Sequence, residues 1–188
     1  MKKVLLLSVV AIVIVFIAFK LRSNNQSAPS ALDNPIAHTA FHLAGLSKLH
    51  SAVVKGDSKT VLDLIDKGAD VNSKSADGTS PLHSACGLGQ VECVKILLEH
   101  GADIEARDAR GDTPLSVAVL AGQPEIAELL LSHGAKTDVE NNKGKTPLRA
   151  VLTFKEVLSS DPVISASASE QKKKLEACAE ILREHGAK

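Results

Sequence analysis

The stretch Gly78-Thr79-Ser80-Pro81-Leu82-His83-Ser84-Ala85 returns at a fixed interval of 33 residues. Its copies are Gly111-Asp112-Thr113-Pro114-Leu115-Ser116-Val117-Ala118 and Gly144-Lys145-Thr146-Pro147-Leu148-Arg149-Ala150-Val151. An earlier, degenerate copy is Gly45-Leu46-Ser47-Lys48-Leu49-His50-Ser51-Ala52. A second signature keeps the same period at Gly68-Ala69-Asp70, Gly101-Ala102-Asp103 and Gly134-Ala135-Lys136. Two independent signatures at one period mark a repeat array. A single unit of this length cannot bury its own apolar face, so stacking on neighbours must supply the core.

Each unit reads as two short helices. Ser80 and Thr113 stand where a hydroxyl accepts from an orphan amide of the first turn. Pro81, Pro114 and Pro147 follow at the first helical position, where a missing N–H costs nothing. Gly89 and Gly122 close that helix, and a second begins with Val91, Val94, Leu97 and Leu98 at helical spacing. Gly101, just past His100, ends it. Ala85 and Ala118 are small enough for neighbouring helices to approach closely.

These residues resemble the ankyrin repeat from about Gly45 to the C-terminus. The resemblance implies an all-α solenoid of four repeats, at about 45–77, 78–110, 111–143 and 144–188, with projecting hairpin turns. The Asp77-Gly78 pair fits the family's Asp-Gly turn, whereas Arg110-Gly111 and Lys143-Gly144 keep only the glycine. His50 and His83 fall on the histidine of the Thr-Pro-Leu-His motif, which implies hydrogen bonds between neighbouring turns. The fourth repeat carries an insertion of 19 residues, because Gly186 follows Gly134 by 52 rather than 33. Its first helix is expected to run through Phe154, Val157 and Leu158 and to break at Ser159-Ser160-Asp161-Pro162. A loop at 165–169 and a final helix from about Glu170 to His185 follow.

Before the repeats, Met1-Lys2-Lys3 precedes the apolar run Val4 to Phe19, interrupted only by Ser8. With Lys20 and Arg22 able to snorkel, residues 1–22 read as an uncleaved N-terminal transmembrane helix. A removed signal peptide, and hence secretion, is the alternative, although no cleavage site of small residues lies close behind the run. Residues 23–35 read as a disordered linker, and 36–188 as the repeat domain with a lead-in helix at 36–44. Lys2, Lys3 and the amino terminus slightly outweigh Lys20 and Arg22, which favours repeats on the extracytoplasmic, periplasmic side.

Beyond residue 22 the chain holds 18 basic against 22 acidic residues, a balance that argues against nucleic acid. Of four Phe, only Phe41 and Phe154 lie outside the N-terminal run, and there is no Trp or Tyr to stack on bases. Cys93 aligns with Ile126 and, allowing for the insertion, with Cys178, two repeats apart and beyond disulfide reach. Cys86 reads as a small core residue. His100, His133 and His185 form a column at second-helix ends, suited to the negative pole of the dipole. His38 and His42 form an i, i+4 pair without a third ligand. Gly144-Lys145-Thr146 lacks the first glycine of a phosphate loop, since position 139 is Val139. No catalytic, cofactor, metal or small-molecule site is therefore expected.

Membership of such a family implies protein recognition by a concave face of hairpin tips and first helices. The expected contact residues are Lys74, Asp77, Arg107, Arg110, Lys143 and Lys145 on the tips, with Leu88, Leu120 and Phe154 at the ends of the first helices. Basic tips in the third and fourth repeats suggest a protein partner with an acidic surface. Two narrower alternatives are a dedicated inhibitor or immunity-type protein for a toxic or hydrolytic enzyme, and a stress-protective accessory of a membrane-associated redox enzyme. The last requires Cys86 to be exposed.

Overall fold

The computed structural model describes residues 47–160 and 169–187. The expected N-terminal transmembrane helix, linker and lead-in helix, and most of the expected loop at 165–169, fall outside the described residues. Among the described residues no helix is long and apolar enough to cross a membrane.

Eight helices follow in order: α1 (Lys48–Lys55), α2 (Ser58–Asp66), α3 (Pro81–Leu88), α4 (Val91–Glu99), α5 (Pro114–Ala121), α6 (Pro124–Ser132), α7 (Pro147–Ser160) and α8 (Ser169–Glu184). They pair as α1/α2, α3/α4, α5/α6 and α7/α8, and no β-strand occurs among the described residues. Local chemistry sets the boundaries. Ser47, Ser80 and Thr113 each accept from the amide three residues on, at His50, His83 and Ser116. At the other end Gly56, Gly89 and Gly122 adopt φ of 69°, 75° and 70°, a left-handed geometry that side chains with a Cβ resist.

The fourth copy of that glycine position is occupied by Lys155. Without a left-handed stop, α7 runs on for 14 residues, where α3 and α5 have 8. It passes through Phe154, Val157 and the buried Leu158, and continues to Ser160. Its partner α8 has 16 residues and begins at Ser169, one residue before the expected start. The described residues of the insertion thus lengthen both helices of the fourth repeat. Lys155 pairs with Glu176 across the two long helices, and Gln171 Nε2 donates to the carbonyl of Ala121 at 3.2 Å. The added turns of α8 therefore lean back on the end of α5.

Repetition of slots builds the core. Leu49, Leu82, Leu115 and Leu148 are buried at one slot, and Leu97, Leu130 and Leu182 at another. Ala52, Ala85 and Ala118 let the first helices approach, all buried, with Val151 taking that slot in the wider fourth repeat. The first repeat departs from the pattern, since Leu64 is only partly buried where its later copies are fully enclosed. Leu130→Ala should lower the unfolding free energy by about 2–5 kcal/mol, the usual cost of a truncated buried leucine. Denaturant midpoints would check this, and a neutral result would refute the leucine register.

Candidate protein-docking face

The hairpin tips are built from a side chain that closes its own turn. Ser75, Asp108 and Asn141 are copies of one slot, and their amides donate to the carbonyls of Thr79, Asp112 and Lys145 at 3.0, 3.1 and 3.0 Å. Asp108 Oδ1 also accepts from the amides of Arg110 and Asp112, and Asn141 Oδ1 from those of Lys143 and Lys145. Gly111 turns the third tip at φ 77°, and a Cβ there would meet the amide nitrogen of Asn142 at 2.9 Å. Glycine is thus required twice over at that position, for its dihedral and for the approach of the next tip.

Successive tips are bonded into a ladder. The Ala109 amide donates to Asp77 O and the Asn142 amide to Arg110 O, both at 2.9 Å. Lys74 Nζ donates to the carbonyl of Arg107 at 3.2 Å, and Arg107 Nη2 donates to that of Glu140 at 2.5 Å. Beneath the tips, His50 Nε2 lies 2.9 Å from Thr79 O and His83 Nε2 lies 3.0 Å from Asp112 O. A carbonyl can only accept, so Nε2 carries the proton in both rings. Nδ1 of His83 then accepts from the Ser80 amide at 3.3 Å. The motif histidines do link neighbouring turns, as their place in the repeat implied.

The third slot holds Ser116, too short for that reach. A different tie serves there, with Asn141 Nδ2 donating to Asp112 Oδ1 at 2.8 Å. The second histidine column acts more directly than a charge near a dipole. Nδ1 of His100, His133 and His185 lies 2.7, 2.8 and 2.9 Å from the carbonyl four residues earlier, so each ring caps its own helix.

The nine expected contact residues divide once these bonds are drawn. Lys74 and Arg107 are exposed but engaged in the ladder. Asp77 accepts from the Ser75 hydroxyl and the Thr79 amide, which hold its carboxyl below the usual range against the opposing effect of desolvation. Arg110 pairs with Asp108 at 3.0 Å and Asp112 at 3.4 Å, two carboxylates whose side chains are only 5% and 7% exposed. The third tip is therefore locally neutralised, although its sequence reads as basic. Lys143 and Lys145 form no ion pair among the described residues. Leu88 is exposed, Leu120 is half-buried, and Phe154 is half-buried and packed on the core. These three do not share one column: Leu88 and Phe154 flank Ala121, while Leu120 aligns with Gly87 and Thr153.

Two residues escaped the sequence reading. Arg149 occupies the histidine slot of the fourth repeat and is exposed, without an ion pair among the described residues. Val157, on the continuation of α7, is 47% exposed, the largest value among exposed large hydrophobics. Both were visible in the sequence, Arg149 as a departure from Thr-Pro-Leu-His and Val157 as the second residue past the missing glycine stop at Lys155.

Cys86, Cys93 and Cys178 are free and buried. Burial pushes the thiols of all three up, that of Cys178 to about 11. Cys86 is 0% exposed, which removes the condition on which a redox accessory rested. Among the described residues no three His, Cys, Asp or Glu side chains are grouped to hold a metal.

Paired helices stacked at a constant period, with bonded hairpin tips, define a helical repeat array. A family model described as ankyrin repeats (3 copies) matches residues 49–141, and that stretch of the chain is similar to ankyrin repeats. The fourth unit, with its lengthened helices, lies beyond the match. No curated protein matches the chain.

Two outcomes follow from these contacts. Burial lowers the pKa of His50 and His83, opposed by the bonds to Thr79 and Asp112 and by the fields of Asp77 and Asp108. The unfolded chain then binds protons below about pH 6.5 that the folded chain resists, so stability falls as pH drops from 7 towards 5. Urea titrations across that range should show the fall, and His83→Ala should flatten it while costing about 1–3 kcal/mol at pH 7. Separately, Arg110→Glu should destabilise by about 1–2 kcal/mol, because it sets a third carboxylate beside Asp108 and Asp112. Lys143→Glu should leave the melting temperature nearly unchanged; equal effects of the two would refute the local neutralisation of the third tip.

Proposed function

We propose that the chain is a protein-recognition module held at a membrane by its N-terminal apolar run, with its repeats on the extracytoplasmic side. The observation that carries the recognition reading is the division of labour among exposed side chains. Lys74, Arg107 and Arg110 are occupied within the array, whereas Lys143, Lys145, Arg149, Leu88 and Val157 reach the surface without filling the core. Arginine is enriched among binding hot spots, and apolar groups around it serve to exclude water. The tether rests on Val4 to Phe19 and its flanking charges. Likeness to a family alone names no partner, since one fold hosts many functions.

Affinity capture with the full chain from native membranes should retain a partner that a Leu88→Asp/Val157→Asp variant loses, with both proteins equally folded by circular dichroism. Equal capture by both would refute the face. For the tether, alkaline phosphatase fused after Lys188 should be active in a bacterial host. A silent phosphatase with an active cytoplasmic reporter would reverse the orientation.

A further inference from the structure

Among the hairpin tips, the cations that bond neither a carboxylate nor the next tip are those of the fourth repeat. Each earlier tip consumes its own cations: Lys74 bonds the next tip, Arg107 the one after, and Arg110 the two acids of its own hairpin. The same slots in the fourth repeat run differently. Asp108 is replaced by the neutral Asn141, Asp112 by Lys145, and His83 by Arg149. The carboxylates of Asp108 and Asp112 thus have no copies here; Glu140, whose Oε2 would lie 3.9 Å from a Cβ on Gly144, is the acid of this hairpin, and Arg149 adds a third cation in the first turn of α7. Glu140 and Glu156, the acids flanking this stretch in sequence, form no ion pair with any of the three.

Arg149 shares its helix with the exposed apolar side chain of Val157. Arg149, Thr153 and Val157 follow at i, i+4 and i+8, one face of α7. That face exists at full length only because Lys155 replaces the glycine stop. Phe154 borders it, half-buried.

Resting on the recognition reading above, we infer that the fourth repeat receives an acidic protein segment that carries large apolar side chains beside its carboxylates. Lys143, Lys145 and Arg149 would meet the carboxylates, and Val157 with the rim of Phe154 the apolar groups. Cations at a rim of this kind set orientation and association rate more than total affinity.

The test uses the full chain and a synthetic peptide of alternating Glu and Leu, with a Lys-for-Glu peptide as its opposite. Fluorescence anisotropy at low salt should show binding of the Glu peptide alone. Affinity should fall about tenfold in K143Q/K145Q/R149Q, as three rim charges of ordinary strength would give. It should be unchanged in K48Q/K59Q/K136Q, which removes the same charge elsewhere. Equal losses in both triple variants would reduce the effect to net charge and overturn the inference. Retention in K143Q/K145Q/R149Q with loss in Leu88→Ser/Val157→Ser would overturn it while leaving the recognition face standing. Indifference to all these variants would overturn both. Binding of heparin or of anionic vesicles, with no binding of the Glu peptide, would assign the cluster to another class of ligand and also overturn the inference.

Discussion

Everything in this array depends on the contact each unit makes with its copy 33 residues away. Two kinds of interaction share that contact, and their magnitudes differ. Burial of a leucine is worth about 1.5–3 kcal/mol, and the leucine columns repeat this in every unit. A histidine-to-carbonyl bond contributes nearer 1 kcal/mol net. The apolar columns therefore supply most of the cohesion. The bonds of His50 and His83 do something burial cannot, because they fix the distance and rotation between successive turns. Their loss would also strand a buried imidazole and a carbonyl without partners, and among the described residues no buried side-chain polar atom is left in that condition.

This division explains which parts of the molecule were legible in the sequence. Caps and stops are local, so Ser80, Pro81 and Gly89 announce α3 from the chain alone. The leucine register follows from periodicity in the same way. The motif histidines were legible through the family resemblance, since the carbonyl each one reaches is 29 residues away. Less was visible in the fourth unit. The insertion was placed between its helices, and the final helix expected from about Glu170 begins at Ser169. Serine and alanine at 165–169 suggest a break, while the packing of Gln171 against the end of α5 lies 50 residues from its partner. Only tertiary contact reveals it.

The hairpin tips were legible in position, but their charge was not. Counting cations along the tips makes Arg107 and Arg110 look available. In the folded array a cation's availability depends on which carbonyl or carboxylate lies within reach one repeat on, or two residues along a tight turn. Asp108 and Asp112 sit at such positions around Arg110, so a residue-by-residue reading of formal charge overstates the third tip and understates the fourth. The exposure of the apolar positions is hard to read for a related reason. Leu120 lies one residue away from the slot of Leu88 and Phe154, and a displacement of one residue on a helix turns a side chain by about 100°.

A repeat array converts this into a gradient along its length. Each tip satisfies its neighbour through bonds that run forward, from Lys74 to Arg107 and from Arg107 to Glu140. Glu140 ends that sequence, because a carboxylate cannot donate to a carbonyl. Lys145 and Arg149 stand at slots which earlier units fill with Asp112 and His83, groups committed to holding tips together. Once the tie is no longer made, the same positions are released from structural work and carry charge outward instead. Substitution at a tie slot therefore changes two properties together, loosening the requirement for a following tip and creating a cationic surface. In the fourth repeat both changes occur on the one unit whose first helix has also lost its stop.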